Sequence, residues 1–219
     1  SKSLESLIDV STDAWYFDAV RYVIDGKLMK GISENEFAPE ASLTRAMFVT
    51  ILHRAENEPE SQGKTFSDVP SGNWFSNAVA WASSFGIVSG VSDTEFAPDD
   101  NITREQMAVI MKNYATKLGY TIPKTLEVVN FADSADISSW AKEAVKSMQQ
   151  AGVLAGKTNN RFDPKGTATR AEVAAVLRRF VEIDIDPQTA NGWTQNDSGE
   201  WSYYKNGKQV KDGLSNDKK

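Results

Sequence analysis

The stretch ATRAE, residues 168–172, carries a charge in an unexpected place. Thr169 is a typical residue to begin a helix, and the first turn of a helix favours Asp and Glu because its unpaired N–H groups carry partial positive charge. The residue after this threonine is instead Arg170. The same Thr-Arg pair recurs in LTRAM, residues 43–47, and in ITREQ, residues 102–106. A cation that recurs at three helix starts indicates a specific role for it.

The arginines belong to an internal repeat that organises the chain. Five positions recur in register, first after 59 residues and then after 66. They are a tryptophan, a glycine, a phenylalanine, a proline and the arginine: Trp15, Gly31, Phe37, Pro39 and Arg45; Trp74, Gly90, Phe96, Pro98 and Arg104; Trp140, Gly156, Phe162, Pro164 and Arg170. We divide the chain into copy 1 (residues 1–60), copy 2 (61–122), copy 3 (123–186) and a tail (187–219).

Each copy carries two amphipathic helical patterns. Apolar residues recur at i, i+3, i+4 and i+7, first after the tryptophan and again after the Thr-Arg pair. The glycine that recurs in every copy is predicted to end the first helix, and the F-x-P proline keeps the chain out of helix before the second. One helix-loop-helix buries little core by itself, so we expect the copies to pack on one another. The predicted fold is all-α, with three helix-loop-helix repeats in a pseudo-threefold bundle.

Composition excludes several classes of function. The net charge of -6 disfavours nucleic-acid binding, and no apolar run is long enough for membrane insertion. Without cysteine and with one histidine, His53, the chain offers no thiolate nucleophile, disulfide or Cys/His zinc site. We expect His53 on the surface. The acidic stretch SDTEFAPDDN, residues 92–101, lacks the spacing of a calcium loop, so no metal and no cofactor is predicted.

Capping explains the threonines of the Thr-Arg pairs. Thr169 and Glu172 have the spacing of a capping box, in which each side chain bonds the other residue's amide. Gln106 can replace the glutamate in copy 2, whereas Met47 leaves copy 1 with only the threonine half.

Capping does not explain the arginines, and the spacing leaves two interpretations open. In one, the guanidinium and the helix amides converge on an anion, and a carboxylate suits the arginine fork well. In the other, the arginines pair with loop acids such as Glu40, Asp99 and Asp100. The aspartates that precede each tryptophan, Asp9, Asp68 and Asp133, are predicted to cap the turn into the first helix.

The ordered combination of aspartate, tryptophan, apolar helix, glycine turn, F-x-P and T-R-A-E resembles the S-layer homology (SLH) family. Three copies are the usual number in that family. The resemblance implies a helical, three-pronged and non-catalytic domain that anchors secreted bacterial proteins to secondary cell wall polysaccharide linked to peptidoglycan. It further implies recognition of a terminal sugar that carries a pyruvate ketal, which supplies a carboxylate.

The resemblance also implies site residues. The arginine of the family's motif corresponds to Arg45, Arg104 and Arg170, which are expected to hold the carboxylate in clefts between copies. TREQ and TRAM depart from T-R-A-E, so the position of Arg45 is the least certain. The loop glycines, Gly31, Gly90 and Gly156, would let the backbone approach a sugar. The tryptophans, Trp15, Trp74 and Trp140, offer flat faces for sugar rings, although packing in the core is the alternative.

The tail has a different composition, rich in Trp, Tyr, Gly and Asn and without helical periodicity. It resembles one choline- or glucan-binding-type cell-wall repeat of β-hairpin form, with the aromatic residues Trp193, Trp201, Tyr203 and Tyr204. We expect a solitary repeat to be poorly ordered and unable to complete a ligand site.

Two rival functions remain beside wall anchoring. A protein-interaction scaffold would use the arginines to grip acidic side chains of a partner. An enzyme would need a pair of acid/base carboxylates, and no isolated pair of this kind stands out from the caps and loops.

Overall fold

The computed structural model describes residues 6–182, 192–205 and 208–210 of the 219-residue chain. Its α-helices are α1 Phe17–Asp25, α2 Arg45–Ala55, α3 Ser76–Ser84, α4 Arg104–Lys117, α5 Lys142–Gln150 and α6 Arg170–Val181. Short 3-10 turns lie at Ser134–Asp136 and Thr158–Asn160. Every copy therefore contributes two helices, and the predicted helical architecture is confirmed. In the tail, β1 Gly192–Gln195, β2 Trp201–Lys205 and β3 Lys208–Val210 pair antiparallel in that order.

The helices pack between copies rather than within them. Helix α2 packs on α3, α4 packs on α5, and α6 packs on α1. Each of these pairs joins the second helix of one copy to the first helix of the next, and copy 3 leads back to copy 1. The predicted apolar faces lie in these contacts, with Val79, Met111 and Val145 at most 2% exposed. The core is therefore shared by all three copies.

A ring of backbone hydrogen bonds closes the bundle at its centre. The N–H of Leu43 donates to the carbonyl of Ala168 (3.3 Å), Ala168 donates to Ile102 (3.2 Å), and Ile102 donates back to Leu43 (2.9 Å). All three side chains are completely buried. Because each residue stands two positions before a motif arginine, this ring places the three arginines around one axis.

The aspartates that precede each tryptophan clamp the F-x-P loop, so the prediction that they cap the first helix is wrong. In copy 2, Asp68 accepts from the amides of Phe96 (2.9 Å) and Ala97 (2.8 Å). Asp9 and Asp133 make the same two bonds in their own copies. The middle residue of F-x-P has a left-handed backbone, with φ of 59° at Ala97. Two bonds to one carboxylate offset the cost of that conformation, which few non-glycine residues adopt.

The loop glycines do not end the first helices, which is a second correction. The C-cap residues are Gly26, Phe85 and Ala151. The loop glycines serve close packing instead. A Cβ at Gly90 would lie 2.6 Å from Cε1 of Phe66 and 2.7 Å from the carbonyl oxygen of Glu95.

This packing makes Gly90→Ala a destabilising change. We expect a loss of roughly 3 kcal/mol, because the left-handed φ of 91° costs a side chain about 1 to 2 kcal/mol and the clash adds a similar amount. Gly72 is a matched control, since its φ is 87° but no atom lies within 4 Å of an added Cβ. Gly72→Ala should show only the backbone cost in urea unfolding. Equal losses in the two variants would mean that the Gly90 loop relaxes freely.

His53 is buried, contrary to the surface position predicted for it. It is 5% exposed, packs against the ring of Trp81 and lies 2.8 Å from the carbonyl oxygen of Pro59 through Nε2. Its role is to join helix α2 to the connector after it. Within the described ranges, no helix is both long and apolar enough to cross a bilayer.

Candidate functional site

The motif arginines bridge neighbouring copies. Each is the first residue of α2, α4 or α6, and Arg45, Arg104 and Arg170 are 5%, 0% and 6% exposed. Nε donates to the carbonyl oxygen of the F-x-P phenylalanine in the next copy: Arg45 to Phe96 (3.0 Å), Arg104 to Phe162 (2.7 Å) and Arg170 to Phe37 (2.8 Å). The guanidinium carbon lies 4.7 or 4.8 Å from the centroid of the same phenylalanine ring. Each phenylalanine thus binds its arginine through both carbonyl and ring.

The amides at the helix starts already have partners. The N–H groups of Arg45 and Ala46 donate to the carbonyls of Asp100 (2.9 Å) and Pro98 (3.0 Å), and α4 and α6 repeat this pattern. The amide of the third helical residue donates to the side-chain oxygen of the capping threonine in all three helices. The expectation that these amides converge with the guanidinium on an anion is therefore wrong. Carbonyl oxygens of the next copy offset the positive end of the helix instead.

The alternative pairing with loop acids is not observed for the acids named above, although Arg104 pairs with an acid of the tail turn. Within the described ranges, no carboxylate of Glu40, Asp99 or Asp100 lies within 4 Å of a motif guanidinium. Burial lowers the pKa of Arg45 and of Arg170 from the usual arginine value, and nearby acids only partly oppose this. All three arginines act as cross-copy clasps, side chains that join one copy to the next, and Arg45 and Arg170 do so through backbone carbonyls.

The caps follow the sequence only in part. Thr103 and Gln106 form the predicted reciprocal capping box. At Thr169 the box is half formed, because the carboxylate of Glu172 turns away to Lys157 Nζ at 2.9 Å. Glu172 therefore forms an ion pair within copy 3 in place of the hydrogen bond to the cap amide.

A carboxylate from the tail enters the cleft of Arg104. Asp197 is 2% exposed, and its Oδ2 accepts from Nη2 of Arg104 and from the N–H of Ala155, both at 3.0 Å. Its Oδ1 lies 2.5 Å from Nη1 of Arg179. Burial alone would raise the pKa of Asp197, but the two guanidinium groups more than offset it and hold the pKa below the usual aspartate value. The cleft binds this carboxylate in its charged form.

The neighbouring tail residues, 196–200, form a turn that seals the cleft. The N–H of Asp197 donates to the carbonyl of Gly156 (3.2 Å), and Gly199 packs on Trp15 so closely that an added Cβ would lie 2.9 Å from Cγ of the ring. For this tail turn the expectation of poor order is wrong. The side chains of the tail aromatics lie outside the described part of the chain; these are Trp193, Trp201, Tyr203 and Tyr204.

The repeat generates three corresponding clefts, which we name after their motif arginines. Around the Arg104 cleft lie Arg104, Arg179, Ala155 and, under the tail turn, Trp15, and the repeat register assigns the corresponding residues to the other two clefts. The sets are Arg104, Arg179, Ala155 and Trp15; Arg170, Arg54, Lys30 and Trp74; Arg45, Asn113, Ser89 and Trp140. Hydrogen bonds support this register. Arg179, Arg54 and Asn113 each donate to the carbonyl of the residue three positions before the loop glycine of their own copy.

The tryptophans differ in exposure according to the tail turn. Trp74 is 61% and Trp140 is 60% exposed, so the alternative of core packing is wrong for both. Trp15 is less exposed, because it packs against the core and against Gly199 of the tail turn. By the repeat register, these two exposed rings correspond to Trp15, which packs against the tail turn at the Arg104 cleft.

Sequence reasoning did not identify Arg54, Arg179 or Asp197. The first two stand at the same repeat position, with Asn113 between them in copy 2, and that recurrence was the available signal. Asp197 gives no local signal, because its partners lie 18 to 93 residues away.

Docking of the tail turn should depend on the charge of Asp197. Its pKa is lowered when docked, so docking is complete above the ordinary aspartate pKa of about 4 and is lost as the pH falls through the lowered value. Asp197→Asn should release the turn at pH 7, observed as a shift of the Trp15 indole signal in NMR spectra. Glu200→Gln is the control, since Glu200 is exposed. A Trp15 signal unchanged in Asp197→Asn at pH 7 would contradict this account of the docking.

Comparisons with known proteins match the repeats. The S-layer homology domain family matches residues 9–47, 65–108 and 130–174, one segment in each copy. The amylopullulanase of Thermoanaerobacterium thermosulfurigenes is 34% identical over 172 residues, which cover 78% of this chain and 9% of the relative. The surface-layer 125 kDa protein of Lysinibacillus sphaericus is 30% identical over 176 residues, covering 78% of this chain and 14% of the relative.

A third relative is the cellulosome-anchoring protein of Acetivibrio thermocellus, 25% identical over 189 residues that cover 80% of this chain and 42% of the relative. The chain therefore spans less than half the length of each of these relatives, which include an enzyme, a surface-layer protein and an anchoring protein. Together the repeats and relatives indicate a secreted protein of the cell surface. The chain belongs to the S-layer homology domain family, of which it carries three copies.

Proposed function

We propose that this chain is a non-catalytic anchoring module that binds secondary cell wall polysaccharide through a carboxylate, such as that of a pyruvylated terminal sugar. The observation that carries the proposal is the docked Asp197, whose carboxylate is held by two guanidinium groups and one amide in the Arg104 cleft. A cleft that holds this carboxylate has the chemistry to hold another of similar size. The names of the surface-layer and cellulosome-anchoring relatives support a role at the wall.

The proposed ligand contacts follow from the docked turn. Arg45, Arg104 and Arg170 would supply guanidinium groups that are already fixed by the phenylalanines beneath them. The loop carbonyl that accepts from Asp197 belongs to Gly156, so Gly31, Gly90 and Gly156 would offer carbonyls to sugar hydroxyls. Trp15, Trp74 and Trp140 would stack on sugar rings, and the last two are exposed for that purpose.

The tail contributes to the proposal as a second wall-binding element. Its antiparallel strands and its spacing of Gly, Trp and Tyr support a single choline- or glucan-binding-type repeat. The turn of the same tail occupies the Arg104 cleft, so wall polysaccharide would bind first at the Arg170 and Arg45 clefts.

One observation favours a second candidate, a scaffold for acidic protein partners. Asp197 is itself a protein side chain, and a partner's aspartate could present the same group. The two candidates differ in what surrounds the carboxylate, since a sugar ring suits the exposed tryptophans and an extended peptide does not require them.

Cosedimentation with purified cell walls tests the proposed function. The protein should pellet with peptidoglycan that carries its polysaccharide and should remain in the supernatant when the polysaccharide has been removed chemically. Soluble polyglutamate is the competitor for the scaffold candidate. Pelleting that is indifferent to the polysaccharide, or that polyglutamate abolishes at equal carboxylate concentration, would reject wall anchoring in favour of the scaffold.

A further inference from the structure

We propose that Arg54 is the second cation of a carboxylate site, and that the Arg170 cleft, which pairs Arg170 with Arg54 and is not filled by the tail turn, is the principal ligand site of this chain. This inference rests on the proposed function and deepens it. It ranks the clefts by the groups that each presents to a carboxylate.

Asp197 shows which groups a carboxylate needs in this fold. Its two oxygens divide three donors between them: Nη2 of Arg104, the amide of Ala155 and Nη1 of Arg179. The two cations come from different copies, and the amide comes from the loop between them. One carboxylate therefore engages both sides of the cleft at once, which fixes its orientation as well as its charge.

The Arg170 cleft has arginines at both corresponding repeat positions of this set. Nη2 of Arg170 donates to the carbonyl of Lys30 at 2.5 Å, as Nη2 of Arg104 does to Ala155 at 2.7 Å. Nη1 of Arg54 lies 3.5 Å from the carbonyl oxygen of Leu28, just as Nη1 of Arg179 lies 3.3 Å from the carbonyl oxygen of Val153 in its own loop. Arg54 is only partly buried. Among the described residues, no carboxylate lies within 4 Å of Arg170 or Arg54.

The Arg45 cleft lacks the second cation. Asn113 stands where the other copies have arginine, and its Nδ2 bonds the carbonyl of Ile87 at 3.3 Å. This amide keeps the bond that holds the loop but brings no charge to the cleft. Hydrogen bonds to charged donors are roughly twice as strong as bonds between neutral groups, so a carboxylate should prefer the Arg170 cleft.

Asn113 also separates the structural role of this position from its ligand role. Arg54, Asn113 and Arg179 all donate to a loop carbonyl, so that bond is structural and asparagine can make it. Arg54→Asn thus retains the loop contact while removing the cation. The reciprocal change, Asn113→Arg, installs the cation in the Arg45 cleft. The chain supplies its own pair of matched variants.

Calorimetric titration with a methyl hexosaminide that carries a pyruvate ketal tests the inference, with the same glycoside lacking the ketal as control ligand. We expect Arg54→Asn to weaken ketal-dependent binding about tenfold or more, and Asn113→Arg to add a second site of comparable affinity. Urea unfolding should show both variants folded.

The outcomes distinguish the inference from the proposed function. Ketal-dependent binding that neither variant changes would overturn the role of Arg54 and leave the proposed function intact. Binding of the wild-type protein that ignores the ketal would overturn both, because no carboxylate would then be recognised.

Discussion

Replacing Arg104 with alanine should destabilise the protein by about 3 to 5 kcal/mol, the usual cost of removing one partner from a buried ion pair. Arg104 is completely buried and bonds the carbonyls of Phe162 and Ala155 in the next copy, both at 2.7 Å. Alanine would leave both carbonyls without their donor and Asp197 without one of its two cations. The loss should appear as a lower midpoint in urea unfolding.

A comparison among the arginines sharpens this prediction. Replacement by alanine should lower the free energy of unfolding most at Arg104, less at Arg170 and least at Arg45. The last two differ because Arg170 bonds two carbonyls and Arg45 bonds one. Arg21→Ala is the control, since Arg21 is an exposed residue with one i,i+3 ion pair and should change stability by less than about 0.5 kcal/mol. Equal losses at the buried and exposed arginines would contradict the description of the motif arginines as cross-copy clasps.

The structural role of these arginines affects how their ligand role can be tested. A motif arginine changed to alanine weakens the contact between copies, so any loss of binding would combine misfolding with the missing charge. Chemical change of the ligand avoids this difficulty, because the protein stays intact. The same reasoning favours Arg54, whose replacement occurs naturally as Asn113 in copy 2.

The second large effect is expected from the ligand. Removing the pyruvate from pyruvylated wall polysaccharide should weaken binding about 100-fold or more, because two bonds to charged donors contribute about 1.5 to 3 kcal/mol each and 1.4 kcal/mol corresponds to a factor of ten. Binding of the intact polymer should also weaken as salt is added, more steeply than binding of the depyruvylated polymer. Equal affinities for the two polymers, measured by calorimetry, would reject recognition of the carboxylate.

Much of the fold could be predicted because its signals are local or repeated. The apolar periodicity located both helices of every copy, and Thr103 with Gln106 predicted a capping box that the structure contains. The recurrence of five positions at constant offsets indicated three equivalent units. These features depend on neighbours within a few positions of one another, which a single sequence displays directly.

The partners of the charged residues could not be predicted in this way. The motif arginines bond carbonyls 51 to 140 residues away, and backbone carbonyls leave no trace in the residue types. Asp68 resembles a helix cap in sequence, yet it binds amides 28 and 29 residues later. Glu172 fits a capping box but is drawn to Lys157, because a buried carboxylate gains more from a cation than from an amide.

Asp197 illustrates the same limit at the candidate site. The sequence repeat and the family resemblance implied three clefts and an arginine for each, but they did not indicate that the tail would bring a carboxylate into one of them. They also gave equal weight to all three clefts except for the weaker cap of Met47. The structure distinguishes the clefts by the residue at the positions of Arg54, Asn113 and Arg179, which lies outside the family's motif.

A crystal structure of the protein with the pyruvate-ketal glycoside tests the central claim most directly. The account predicts the ketal carboxylate in the Arg170 cleft, within hydrogen-bond distance of Arg170 and Arg54, with Asp197 still in the Arg104 cleft. A sugar bound with its carboxylate facing solvent, or bound away from all three clefts, would contradict it.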